Sequence, residues 1–179
     1  MLYTDDAVFM FHSRSKDAAP GHGVGESIRV PAEQFQELAT ITDWRKLLSN
    51  FAESPFVLDE LTWLSVEHVF QASKFRTIAP AYYRSFAVES GSERGRTLGG
   101  QIKSAGGRKG LPLGPEDLER WDREKRDVMR RALTAKYAQH EPSRRVLRAT
   151  QMAKLTHRPL RASYTSVEIE LMEVRNDLR

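Results

Sequence analysis

Near the end of the chain Val167, Leu171, Val174 and Leu178 recur at intervals of three and four, the period of one face of an α-helix. Thr165 and Glu168 stand in the spacing of a capping box just ahead of that stripe, which predicts where the final helix starts. A second stripe, Leu118, Trp121, Val128, Ala132 and Tyr137, runs through "PEDLERWDREKRDVMRRALTAKYAQH" and predicts the longest helix. Pro115 suits its first position, Glu116 and Asp117 sit where the dipole favours acids, and "REKRDVMRR" falls on its solvated face. A shorter helix is expected around Ser143 to Ala149, and another from Pro31 through "PAEQFQELA", with Phe35, Leu38 and Ala39 on one side.

Extended structure is predicted in two places. "AVFMFHS" reads as a buried strand that runs into "KDAAPGHGVGE", a loop whose glycines and prolines break any period. "SPFVLDELTW" reads as two short pieces around an Asp59-Glu60 turn. The segment from Phe86 to Pro115 carries most of the glycines and reads as irregular and exposed. With no internal repeat and no dividing linker, the expectation is one α+β domain, mainly helical, over residues 1–179.

Composition narrows the class. At 40% hydrophobic and 29% charged residues, the chain of 179 residues falls in the ordinary globular range, long enough for a sizeable core. The absence of cysteine excludes disulfides, a thiolate nucleophile and cysteine metal sites, and fits a reducing compartment. The first residues lack the basic start of a signal peptide, and no apolar run reaches bilayer length, so a cytoplasmic location without membrane contact is expected. A net charge of +4 and a pI near 9.5 suit phosphate-bearing ligands or nucleic acid. No aromatic-interleaved basic stripe points to nucleic acid independently.

The segment "WLSVEHVFQASKF", Trp63 to Phe75, predicts a helix of mixed character. Ser65 is a natural N-cap, which makes Val66 the first helical residue and puts Glu67 in the first turn, where free N–H groups would hold its carboxylate ionised. Glu67, Gln71 and Lys74 share one face, while Val66, Val69, Phe70 and Phe75 cover much of the rest. Spacing alone leaves two readings open: a merely solvated polar face, or a face built for chemistry.

Beyond periodicity, "LLSNFAESPFVLD", "W.SVEHVFQASKF", "WDREKRDVMRRALTAKYAQH", "LRATQMAKLTH" and "ELMEVRNDL" follow one another in the order of the NADAR family, the YbiA-like N-glycosidases. The chain resembles that family from about Phe11 to its C-terminus. The resemblance implies cleavage of an N-glycosidic bond between a ribose-type sugar and a base, on a riboflavin-pathway intermediate or on ADP-ribosylated guanine. It implies Glu67 as the catalytic carboxylate, beside the carbon where positive charge develops. Asn50 matches a family position near the ligand, its alternative being a turn or cap. Trp63 and Trp121 are candidates for stacking on the base, with core packing as the alternative. His68 and Gln71 belong to the family core as orienting residues, and Lys74 is placed to meet a phosphate or to pair with an acid.

Two loops are candidate phosphate holders. One offers Ser13, Arg14 and Lys16 ahead of Gly21, Gly23 and Gly25; the other offers Lys103, Arg108 and Lys109 and resembles a basic segment of the family. Neither matches the P-loop or dinucleotide fingerprint. The chain resembles a divergent branch of the family, in which the tryptophan-glycine loop after the "AKL" block is replaced by the shorter "THRPLRASYTS". His12, His22, His68, His140 and His157 lack close ligand spacing, so no metal and no cofactor is expected. The expected partner is a small nucleotide or ADP-ribose-type ligand, or an ADP-ribosylated nucleic acid, and a non-catalytic ADP-ribose-binding module is the alternative function.

Overall fold

The structure is a computed structural model that describes residues 1–107, 109–159 and 163–178. It is α+β and mainly helical, and its chain contacts divide into two compact units. The first joins residues 1–49 to residues 141–179; the second is residues 50–140.

In the first unit, β1 (Thr4–Phe11) pairs antiparallel with β2 (Ser27–Ile28) and parallel with β5 (Ala153–His157), which pairs antiparallel with β6 (Ser166–Val167). The β1–β5 register sets Phe9 against Leu155 and Phe11 against His157. The core forms where Phe9 meets Phe35 edge-on at 4.9 Å and Trp44 at 5.2 Å. Phe35 closes a 3-10 turn, Ala32–Phe35, that leads into α1 (Gln36–Ala39), and Trp44 opens α2 (Trp44–Leu48). The expected helix after Pro31 is therefore present, with a tighter first turn. Also in this unit are α8 (Glu141–Ala149), which starts two residues before the expected Ser143, and α9 (Ile169–Asp177).

The start of α9 differs from the capping-box expectation. Ser166 and Val167 pair with β5 as a strand, and Glu168 is the N-cap, without a side-chain cap bond. Its carboxylate accepts from Ser166 Oγ at 2.8 Å instead. Strand pairing of the neighbouring backbone outweighs a cap worth about 1 kcal/mol. Leu171 and Val174 are buried as the stripe predicts, whereas Val167 is exposed on β6 and Leu178 lies past the helix end.

In the second unit the expected hairpin is present as β3 (Phe56–Leu58) and β4 (Leu61–Trp63). Its turn residues Asp59 and Glu60 both have positive φ, 53° and 62°, as a two-residue hairpin turn requires. Arg131 bonds Asp59 at 2.6 Å and so ties that turn to the long helix. The helices are α3 (Val66–Ser73), α4 (Pro80–Arg84), α5 (Glu93–Arg96), α6 (Gly100–Ala105) and α7 (Pro115–Gln139).

Residues 86–115 are not the irregular exposed stretch expected from their glycines. They contain α5, α6 and a 3-10 turn at Val88–Ser90, with Phe86, Ala87, Gly95 and Ile102 buried. Some of the glycines, Gly95, Gly106 and Gly110, serve close packing: a Cβ on Gly95 would lie 2.3 Å from Ala87 O. In α7 the C-terminal half is buried through Ala132, Leu133, Ala135, Lys136 and Tyr137, the N-terminal half through Trp121. Leu118 is exposed, since the first turns of α7 extend into solvent.

Candidate active site

Helix α3 is buried on its polar face as well as its apolar one: Val66, Glu67, His68, Val69, Gln71 and Ala72 are all inside. Ser65 adopts the extended conformation of an N-cap, but its hydroxyl makes no cap bond. It lies 2.8 Å from His68 Nδ1, while His68 Nε2 lies 3.2 Å from the carbonyl of Arg94. A carbonyl can only accept, so Nε2 carries the proton and Nδ1 accepts from the Ser65 hydroxyl. Burial holds His68 below its ordinary pKa, in keeping with this neutral ring. His68 thus fastens the start of α3 to α5.

The environment of Glu67 differs from the one the spacing suggests. The Glu67 backbone N–H donates to Asn50 O at 2.9 Å. The side chain is only 6% exposed, and burial raises its pKa above the ordinary carboxylate value. The Gln71 hydrogen bond and the charges of Lys103 and Lys74 act in the opposite direction and are outweighed. Gln71 Nε2 donates to Glu67 Oε1 at 2.7 Å, and Gln71 Oε1 accepts from Lys74 Nζ at 2.5 Å. Lys74 also donates to Gly106 O at 2.8 Å. Burial lowers the Lys74 pKa, against the raising effect of Glu67.

This arrangement is a carboxylate, an amide and an ammonium in line, closed against the end of α6. Gly106 is required there, because a Cβ would fall 2.1 Å from Gln71 Oε1. Trp121 joins the group: Phe70 packs edge-on against its ring at 4.8 Å, and Lys74 Nζ lies 5.8 Å from its centre. Asn50 sits beside the helix start, its side-chain amide 3.6 Å from Met129 Sδ.

The structure therefore brings together Glu67, Asn50, His68, Gln71, Lys74 and Trp121. Trp63 belongs to the core: it is 1% exposed, its indole N–H donates to Leu58 O at 3.0 Å, and its ring packs on Tyr83. No ring face is left for a base. Lys109 lies on the exposed turn after α6, and Arg108 is outside the described residues. Leu160, Arg161 and Ala162 of the shortened connection are likewise outside them.

Ser13 and Lys16 belong to the first unit. The glycines after them are not an open anion cradle. Gly21 and Gly23 N–H groups donate to Glu26 Oε2 at 3.1 and 3.0 Å, and Arg45 bonds both Glu26 oxygens at 2.7 and 2.6 Å. The loop is folded around a carboxylate of its own chain. The residue pattern carries no sign of Gly106 or of the Arg94 carbonyl, since each acts through a contact between separate elements, while Ser65, expected as a cap, turns its hydroxyl to His68. Among the described residues no helix is long and apolar enough to cross a membrane, and no group of three His, Asp or Glu could hold a metal.

Comparison with known proteins agrees with this architecture. N-glycosidase YbiA of Escherichia coli (strain K12) is 36% identical over 107 residues, 60% of this chain and 59% of that protein. N-glycosidase YbiA of Shigella boydii serotype 4 is 37% identical over 109 residues, with the same shares. The matched part of the chain thus spans about three fifths of the length of these relatives. The NMR structure of the E. coli protein YbiA superposes with a TM-score of 0.55 at 26% identity, covering 98% of this chain and 84% of that one. The NADAR domain profile matches residues 35–163, well over half of the chain and including the whole Glu67 helix; the chain belongs to the NADAR family.

Proposed function

We propose that the chain is an N-glycosidase that hydrolyses the bond between a ribose-type sugar and a nitrogenous base, with Glu67 as its catalytic carboxylate. The observation that carries this reading is the Glu67 side chain, buried at the start of α3 with a raised pKa and held in orientation by Gln71. The names of the relatives support the reaction type.

Breaking the C1′–N bond leaves positive charge on C1′ and the ring oxygen. A fixed carboxylate beside that carbon stabilises the charge without first reorganising. Water then adds its oxygen to C1′ and loses a proton to Glu67, and that proton passes on to the departing base nitrogen, which leaves Glu67 ionised again. A raised pKa makes Glu67 a better base for that water than an ordinary surface carboxylate. Lys74 and Lys103 provide positive charge near Glu67 and suit a phosphorylated substrate. A ribosylated riboflavin-pathway intermediate and an ADP-ribosylated guanine both present the required bond.

The test is detection of released base by mass spectrometry. Wild type and Glu67→Gln are incubated separately with an aminouracil ribotide, NAD and guanine-ADP-ribosylated DNA. Release by wild type, with a loss of about a thousandfold in Glu67→Gln, is the expected result and identifies the substrate class. Release unaffected by the substitution removes Glu67 from the reaction. Binding of ADP-ribose without release from any substrate makes the chain a binding module.

A further inference from the structure

The long loop after β1 has two halves with different roles. Residues 18–26 wrap Glu26 and Arg45, as described above. The other half, His12 to Lys16, forms a tight turn that fastens itself. Ser15 N–H donates to His12 O at 3.0 Å, and His12 N–H donates to Ser15 Oγ at 2.9 Å. Arg14 N–H donates to His12 Nδ1 at 3.1 Å, which leaves Nε2 as the proton-bearing nitrogen of the neutral ring. Ser15 is buried, Ser13 is half-buried, and Arg14 and Lys16 are exposed.

Because β1 and β5 are parallel, their carboxyl ends finish at the same edge of the sheet. Phe11 is in register with His157, their rings stack at 5.5 Å, and Arg158 N–H donates to Phe11 O at 3.4 Å. Arg158 therefore emerges beside the turn. Burial first, and then the Arg158 charge, hold His12 below its ordinary pKa. The turn residues His12, Ser13, Arg14 and Lys16 thus lie at the same strand edge as Arg158, whose charge acts on His12.

The carboxylates nearby are committed elsewhere. Glu26 is held by Arg45, Asp17 accepts the Asp43 N–H at 3.0 Å, and Glu168 accepts from Ser166. Arg14 and Lys16 form no ion pair among the described residues. The carboxyl edge of parallel strands is also where open sheets with such strands bind ligands.

We infer that the carboxyl edge of β1 and β5 is a phosphoryl-binding site, in which Ser13, Lys16, His12 Nε2 and Arg158 hold the phosphate of a sugar phosphate or the diphosphate of a nucleotide. A guanidinium can meet two phosphate oxygens at once, and the neutral His12 ring offers a donor at Nε2. This site is independent of Glu67 chemistry and stands or falls without it.

The test is an NMR titration of the full chain at low ionic strength with inorganic pyrophosphate, inorganic phosphate, ribose 5-phosphate and ribose. Saturable shifts of the His12 ring and Arg158 side-chain signals are expected with the three phosphorylated probes and not with ribose. Pyrophosphate binding more tightly than phosphate points to a nucleotide diphosphate; equal affinities point to a sugar monophosphate. Lys16→Gln and Arg158→Gln should each weaken pyrophosphate about tenfold, while Lys125→Gln, on α7, should not. Both substituted side chains are exposed, and circular dichroism checks that the variants fold. Absence of saturable shifts in wild type, or equal weakening by Lys125→Gln, overturns the site.

Discussion

Gln71 donates its amide N–H to Glu67 Oε1 at 2.7 Å while its own carbonyl oxygen accepts from Lys74. Lys74 thereby decides which end of the amide faces Glu67, because an ammonium can only donate. Glu67 Oε1 accepts this bond, so in the proposed reaction Oε2 is the oxygen that meets the water.

Replacing Gln71 by Leu removes the donor to Glu67 and the acceptor for Lys74 together. The Gln71 bond lowers the Glu67 pKa, so its loss moves that pKa further up. The acid limb of kcat/KM should move to higher pH, with turnover reduced about 10–100-fold at neutral pH. A carbon-13 titration of the Glu67 carboxyl in the free protein reads the same change without any substrate. An unmoved titration would mean that Gln71 does not tune this group.

Glu67→Gln should make the protein more stable at neutral pH even as it abolishes turnover. The folded pKa lies above the unfolded value of 4.5, so the folded state binds the proton more tightly. The stability contributed by protonated Glu67 is complete below that value and is lost as pH rises through the folded pKa. The amide carries no charge to bury. Thermal melts across acid to neutral pH should show the variant's advantage growing with pH. The gain is on the order of 1 kcal/mol for each tenfold difference in proton affinity between folded and unfolded chains.

Gly106→Ala should weaken both the fold and the site. Its Cβ would meet Gln71 Oε1 at 2.1 Å and Gln71 Cβ at 2.5 Å, so α3 and the end of α6 must separate. A cost of about 1–3 kcal/mol is expected in denaturant unfolding, together with loss of the Lys74 bond to Gly106 O. Gly100→Ala, where a Cβ meets nothing within 4 Å, provides the neutral comparison.

Lys136 predicts a pH dependence of the opposite kind. Burial lowers its pKa from 10.5 to about 7 in the folded state. Between those values the unfolded chain binds the proton and the folded one releases it, so stability should rise with pH across that window. The stability is fully present above 10.5 and is lost as pH falls through about 7. Chemical denaturation of wild type and Lys136→Met between those values should give a rising curve for the first and a flatter one for the second. Parallel curves would assign the slope to other groups.

Much of the local structure is legible in the residues. The α7 helix, with Pro115 at its first position and acids in its first turn, satisfies its signals within one segment. So does the Asp59-Glu60 hairpin, whose alternating flanks and two-residue turn define the pairing. The Glu67, Gln71 and Lys74 face is equally visible, since residues three and four apart on a helix must be neighbours. The chemistry expected there rests on the family resemblance in "SVEHVFQASKF".

What periodicity could not supply is the environment of that face. A helical period says which residues lie together, not whether water or protein covers them. Tertiary packing buries Glu67, reverses the expected direction of its pKa and diverts the Ser65 hydroxyl from capping to His68. Packing likewise turns the Gly21–Gly23 loop inward onto Glu26, and places Arg158 beside His12 through a parallel pairing of distant strands. The strand pairing joins residues far apart in the chain, and the short-range bonds of Ser65 and Glu26 follow no helical or strand period, so local pattern carries no signal for either. Sequence alone determined the long α7 helix, the hairpin and the polar line on α3; tertiary structure decided α5 and α6 in the glycine-rich stretch and the desolvation and charge around α3, because these depend on which distant groups pack there and exclude water.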